Sequence, residues 1–231
     1  MNLSDFRTRA ARVSGMSTSD SGDTALLDAW TNEAVEQFLK ETKINIRTAS
    51  LAVTADTGDY TLDTDILAMQ ALWYAPAANA QSALLQPLSP EAMIEMRLIA
   101  DTAGNNPRYY AMAGSNTIMI HPEPLSSSDR LHVLYVPRHT ALSATSDTPS
   151  ATANGNIPAE YHSVLESYVK WKACEAEEHR PSQNGLQFQA EWEKGIQKVR
   201  MEMKRKAGMV IPAARIGRPR SLPVGNGVDV R

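Results

Sequence analysis

Hydrophobic positions along this chain change their spacing as the sequence proceeds, and each change marks an element. From Asp23 to about Lys43, Leu26, Trp30, Ala34 and Phe38 recur every four residues, with Leu27, Val35 and Leu39 widening the stripe. That period predicts an amphipathic helix. Ahead of it, residues 4–14 read as a short basic helix with Ser4 and Asp5 at its start, followed by the small, polar loop "GMSTSDSGD". After Lys43 the period drops to two. "INIRTASLAV" sets Ile44, Ile46, Leu51 and Val53 against polar neighbours, as a half-buried strand does. "DTGDYTLDTDIL" predicts a turn, a short strand through Tyr60 and Leu62, and a second turn. "AMQALWYA" predicts another strand from Met69 to Tyr74.

Within this β region, "LSPEAMIEMRLIA" predicts a short helix. Ser89 caps it, Pro90 takes the first helical position, and Met93, Met96, Leu98 and Ile99 fall on one side. "PRYYAMAGSNTIMIHPEP" reads as a hairpin turning at Gly-Ser-Asn. "RLHVLYVPR" is a strand with apolar residues on both faces around Val133 to Val136. The low-complexity stretch "TALSATSDTPSATANGNIP" predicts a mobile polar loop. Helical spacing returns from Pro158 with Tyr161, Val164, Leu165, Tyr168, Val169 and Ala173, and "RPSQNG" interrupts it. A last helix runs from about Gln187 to Lys206 through Phe188, Trp192, Ile196, Val199 and Met203. The final twenty-five residues hold seven Gly or Pro and too little apolar content for a core, so they read as an extended arm. The expected class is α+β: a helical bundle of residues 1–43 and 158–206, a β-rich insertion over 44–157 with a short helix and a polar loop, and a C-terminal arm over 207–231.

Composition narrows the class. A chain of 231 residues with a 42% hydrophobic fraction can bury a substantial core. No apolar run reaches the length of about 20 residues that a membrane helix needs, and "MNLSDFRTRAARV" lacks the apolar segment of a secretory signal. The single cysteine, Cys174, excludes an internal disulfide and a Cys-rich zinc site, and points to assembly in a reducing cytoplasm. Charge is segregated. From Lys194 onward ten Lys or Arg face two acids, Glu202 and Asp229, a surplus of eight positive charges. The first 193 residues then carry a surplus of eleven negative charges, for a net −3. A basic end on an acidic body predicts a negatively charged partner, either an acidic protein surface or nucleic acid.

Candidate chemistry does not assemble. His121 ends a strand with no activated nucleophile nearby, and Ser115 lies in a turn without the frame of a nucleophile elbow, so His121 reads as structural. His132 and His139 are separated by seven positions and are poor joint ligands. Glu175 and His179 share a helix face, but no second pair completes a metal site. Asp56, Asp59, Asp63 and Asp65 lack the spacing of a calcium loop, and no phosphate-binding glycine motif is present. Cys174 sits mid-helix as a packed residue. The sequence therefore predicts no catalytic residue, no metal, no cofactor and no enzyme activity.

Lys194, Lys198, Arg200, Lys204, Arg205 and Lys206 line the last helix, and Arg215, Arg218 and Arg220 punctuate the arm among Ile211, Ile216, Leu222 and Val224. The bland reading is a solvated helix with cations suited to its C-terminal dipole; the functional reading is docking. Without aromatics the arm is poorly equipped to stack on single-stranded nucleic acid, and it fits an extended segment that orders on a protein.

Five stretches in this order carry a family likeness: "LLDAWTNEAVEQFL", "GDYTLDTDIL", "NNPRYYAMAGSNTIMIHPEP", "RLHVLYVPR" and "IPAEYHSVLESYVKWKA". Together they resemble the head-to-tail adaptor (connector, head-completion) proteins of tailed bacteriophages over nearly the whole chain. The resemblance implies a structural virion protein at the head–tail junction, assembled in the host cytoplasm as a ring, commonly twelve-fold. Its expected partners are the portal protein, a downstream neck or tail protein, further copies of itself, and double-stranded DNA passing through the channel. It implies no membrane. The expected portal-docking residues are Lys204, Arg205, Lys206, Arg215, Ile216, Arg218, Arg220 and Leu222. Two other readings stand beside it: a nucleic-acid-binding protein using the basic helix and arm, and a hydrolase.

Overall fold

The computed structural model describes residues 1–62, 66–76, 82–99, 106–124, 126–178 and 183–206. Among them are five α-helices and two four-stranded sheets, a mixed α+β fold as the alternation of periods predicts.

Helix α1 (Leu3–Ser14) begins earlier than Ser4 and Asp5 suggest, because Asn2 is its cap. The Asn2 side chain accepts from Asp5 N at 2.9 Å while the Asp5 carboxylate accepts from Asn2 N, also at 2.9 Å. This reciprocal box satisfies two backbone donors at once. The helix closes at Gly15, whose φ of 87° suits glycine. Helix α2 (Ser21–Thr42) is capped by Asp20, which accepts from Gly22 N and Asp23 N, and it ends at Lys43 in the left-handed region. After a single 3-10 turn come α4 (His162–Glu178) and α5 (Gln183–Lys206). Helix α5 starts ahead of the expected Gln187, with Gly185 already helical and buried.

Helix α4 packs along α5, α1 and α2. Leu3, Phe6, Leu27, Phe38, Leu39, Leu165 and Val169 are fully buried there, with Trp192 beside them. Gly195 lets α5 approach α4 closely: a Cβ at that position would lie 2.7 Å from Val164 Cγ1.

Strands β1 (Arg47–Ala52), β8 (Arg130–Pro137), β3 (Ile66–Ala75) and β4 (Ala83–Leu84) form one sheet in that spatial order. The second sheet runs β2 (Asp59–Thr61), β7 (Thr117–His121), β6 (Tyr109–Met112) and β5 (Gln86–Pro87). All the pairings are antiparallel except β5 with β6. Leu72, Tyr74, Leu131 and Val133 from the first sheet share a core with Ile118 and Ile120 from the second. The hairpin expected around Gly-Ser-Asn is the β6–β7 pair, with Tyr110 opposite Ile120.

Helix α3 (Pro90–Ile99) begins at Ser89 as expected, with Ala92 N donating to Ser89 Oγ. Its apolar face is narrower than the sequence suggests. Met93 is fully buried against Ala111 and Met119, Met96 is half-buried, and Leu98 is 81% exposed. One shallow contact with the sheet admits one row of side chains, and Leu98 falls outside it.

The polar stretch after β8 differs most from expectation. Instead of a mobile loop, residues 138–158 form a strap folded onto the bundle. Leu142 and Ile157 are buried in the bundle core. Leu142 N donates to Asn32 Oδ1 at 2.7 Å, and Asn32 Nδ2 donates to Leu142 O at 3.1 Å. Leu3 N and Ser4 N, at the start of α1, donate to Asp147 O and Thr145 O. The strap thus satisfies first-turn donors of α1 that have no partner within the helix.

Candidate functional site

The chain leaves α2 through Lys43 and enters β1 by way of Ile44, Asn45 and Ile46, alongside the C-terminal turns of α5. Arg200 ties these segments together: its Nε donates to Glu41 O at 2.7 Å, and its guanidinium pairs with the Glu41 carboxylate. Between them lies an open groove of about 680 Å³. Ile44, Ile46 and Met203 supply its apolar surface; Lys43, Arg200, Lys204 and Lys206 supply cations around it, and Glu41 its one carboxylate. Ile46 is 45% exposed, a large aliphatic side chain left at the surface.

The last turn of α5 is basic and mostly open. Lys204, Arg205 and Lys206 are exposed. Lys206 Nζ lies 2.9 Å from Glu202 Oε1, an i, i+4 pair. Glu202 is held below its usual carboxylate range by Lys206 and Tyr161, and Lys206 is raised in turn by Glu202. Burial, reinforced by Glu202 and Glu160, pushes the Tyr161 phenol up to about 12. The cations suit the helix dipole and at the same time form a positive surface at the groove. Of the expected docking residues, Lys204 and Lys206 line this groove, and Arg205 shares their turn without lining it. Arg215, Ile216, Arg218, Arg220 and Leu222 lie outside the described residues.

Several of the residues weighed for chemistry lie in local packing and pairing contacts. His121 is buried at the end of β7, where burial and then Arg97 lower its pKa. The Arg97 guanidinium donates to Gly58 O at 2.8 Å and Ile120 O at 3.1 Å, and pairs with Asp59. Asp59 is thus accounted for by α3, and Asp56 sits in a turn with positive φ. Asp63, Asp65 and His179 lie outside the described residues. His132 is exposed on β8, whereas burial lowers the pKa of His139 beyond that strand's end. Cys174 is buried in α4. Among the described residues no group of three His, Cys, Asp or Glu side chains forms a metal cluster, and no helix is long and apolar enough to cross a membrane.

Sequence reasoning found the basic helix end but missed the groove beside it. Its two walls are some 160 positions apart, and Ile44 and Ile46 looked like ordinary inward-facing strand residues. The groove is apolar at its floor and mainly cationic at its rim, and it lies where the helical bundle meets the β module.

The chain belongs to the SU10 adaptor protein family, whose sequence profile matches residues 1–216. Family membership bears out the resemblance to head-to-tail adaptors and gives the protein a structural role at that junction. Among solved structures it is similar to a chain of "Neck of empty GTA particle computed with C6 symmetry", at 13% identity over 77% of each chain and a TM-score of 0.27. No curated protein sequence matches it.

Proposed function

We propose that copies of this protein form a closed, twelve-fold ring beneath the portal that connects the capsid to the tail and lines the channel through which double-stranded DNA passes. The helical bundle of residues 1–43 and 158–206 forms the body of each subunit, residues 44–157 the β-rich insertion, and residues 207–231 an arm that reaches the portal. Lys204, Arg205 and Lys206, then Arg215, Ile216, Arg218, Arg220 and Leu222, make the portal contact. A neck or tail protein binds on the other side.

The observation that carries this reading is the family match over residues 1–216. The segregation of positive charge into the last helix and arm supports the choice of docking end. An ion pair desolvated at such an interface contributes a few kcal/mol, and an exposed pair about 0–1 kcal/mol. Deleting residues 208–231 should leave the melting temperature nearly unchanged and abolish co-sedimentation with the cognate portal. Normal portal binding by the truncated chain would refute the role of the arm. Tight, steeply salt-dependent binding of the isolated protein to duplex DNA would favour a nucleic-acid-binding protein instead.

A further inference from the structure

The outer face of α3 and the groove beside α5 are chemical opposites. Met93 turns inward on Ala111 and Met119, and Arg97 reaches the carbonyls of Gly58 and Ile120. These two contacts fix the rotation of the helix. They leave Glu91, Ile94, Glu95 and Leu98 exposed, at i, i+3, i+4 and i+7 along one stripe. Ile94 is 52% exposed and Leu98 81%, an apolar pair bracketed by carboxylates. The groove presents Ile46 and Met203 bracketed by Lys43, Lys204 and Lys206, while its one acid, Glu41, is paired with Arg200.

We propose that α3 of one copy docks in the α2–α5 groove of a second copy. Ile94 and Leu98 meet Ile46 and Met203, while Glu91 and Glu95 face the lysines of the rim. This is helix-in-groove recognition, in which a short amphipathic helix offers two or three anchors. The chain's own arm is the poorer occupant, because Arg215, Arg218 and Arg220 would meet a rim of their own sign. An acidic helix meets the opposite sign. Ridge and groove are different surfaces, so the contact is heterologous and passes from each copy to the next. Such a contact closes into a ring or continues as a filament. Closure rests on the ring reading above; the pairwise contact does not. Two apolar anchors make a small interface, so isolated copies associate weakly and at high concentration.

The test uses two full-length single substitutions at exposed positions, Leu98→Cys and Ile46→Cys, with buried Cys174 retained. Treated with a short bismaleimide at high protein concentration, a mixture of the two should yield a covalent dimer, and neither alone should. Adding Glu91→Lys and Glu95→Lys to the first variant should lower the yield several-fold. Adding Lys43→Glu and Lys204→Glu to its partner should restore it. No dimer in the mixture, or an equal dimer from Leu98→Cys alone, overturns the proposal. A dimer that appears only after residues 208–231 are removed overturns it too, because the arm would then own the groove. Rings imaged on portals without the 98–46 cross-link would sink this contact and leave the ring standing. Cross-linked open chains that never close would uphold the contact and sink the ring.

Discussion

The helical bundle and the β module finish their surfaces differently. In the bundle, Phe38 packs against Tyr161 and Trp192 with ring centroids 6.1 and 6.4 Å away, and Tyr168 meets Trp192 at 4.9 Å. The strap of residues 138–158 then adds Leu142 and Ile157 to that core. In the β module the core is smaller and holds a polar pair: the Tyr74 hydroxyl donates to buried Asp129. Helix α3 shields the second sheet with Met93 and leaves Ile94 and Leu98 outside. The bundle holds the larger core, whereas the module carries a helix with an uncovered apolar face. Stability therefore concentrates in the bundle, while open apolar surface occurs in both regions, at the groove beside α5 and on the outer face of α3.

Substitution can break this contrast. Phe38→Ala removes a fully buried ring from the bundle and should cost about 3–5 kcal/mol, read from denaturant unfolding. A loss under about 1 kcal/mol would mean that the bundle is not the main store of stability. Gly195→Ala forces a methyl into Val164 and should cost about 1–3 kcal/mol. Combining it with Val164→Ala should return part of that loss if the close approach of α4 and α5 is the cause. In the module, Tyr74→Phe takes one donor from buried Asp129 and should cost about 1–3 kcal/mol, with the sheets affected before the helices by hydrogen exchange.

The smallest expected effect is a pH slope. Burial lowers His162 and His139 in or beside the bundle, and His121 in the module, below the usual 6.5. Unfolded chains then bind protons before native ones do, so stability should fall as pH drops from about 7 through the native pKa values. His162→Gln and His121→Gln should each flatten the slope, because each removes one histidine whose native pKa lies below its unfolded value. Melting temperatures across pH 5–7.5 that ignore both changes would contradict this.

Much of the fold was legible because burial in regular elements repeats with the period of the backbone. Leu27, Val35 and Leu39 announce α2, and Ser89-Pro90 announces α3 where it lies. The strap was illegible: Leu142 and Ile157 are isolated apolar residues in polar text, and only the bundle gives them somewhere to go. Helix α1 was placed late because Ser4 and Asp5 resemble a cap, whereas Asn2 has the geometry of one. Leu26, read as part of the α2 stripe, is 46% exposed, since helical period sets spacing and not rotation. At the docking end, Lys204, Arg205 and Lys206 were visible as a charge run, but the apolar groove beside them was not.

The sequence by itself determined the α+β class, the order of the elements, the segregation of charge and the family likeness, all of which reside in residue type and local spacing. Tertiary structure alone decided which faces remain open. Met93 and Leu98 look equivalent on paper, yet one meets Ala111 and Met119 while the other meets solvent. Ile46 and Met203 share a groove only because α2 and α5 end side by side. Exposure is set by neighbours that arrive from far along the chain, and no local pattern records them.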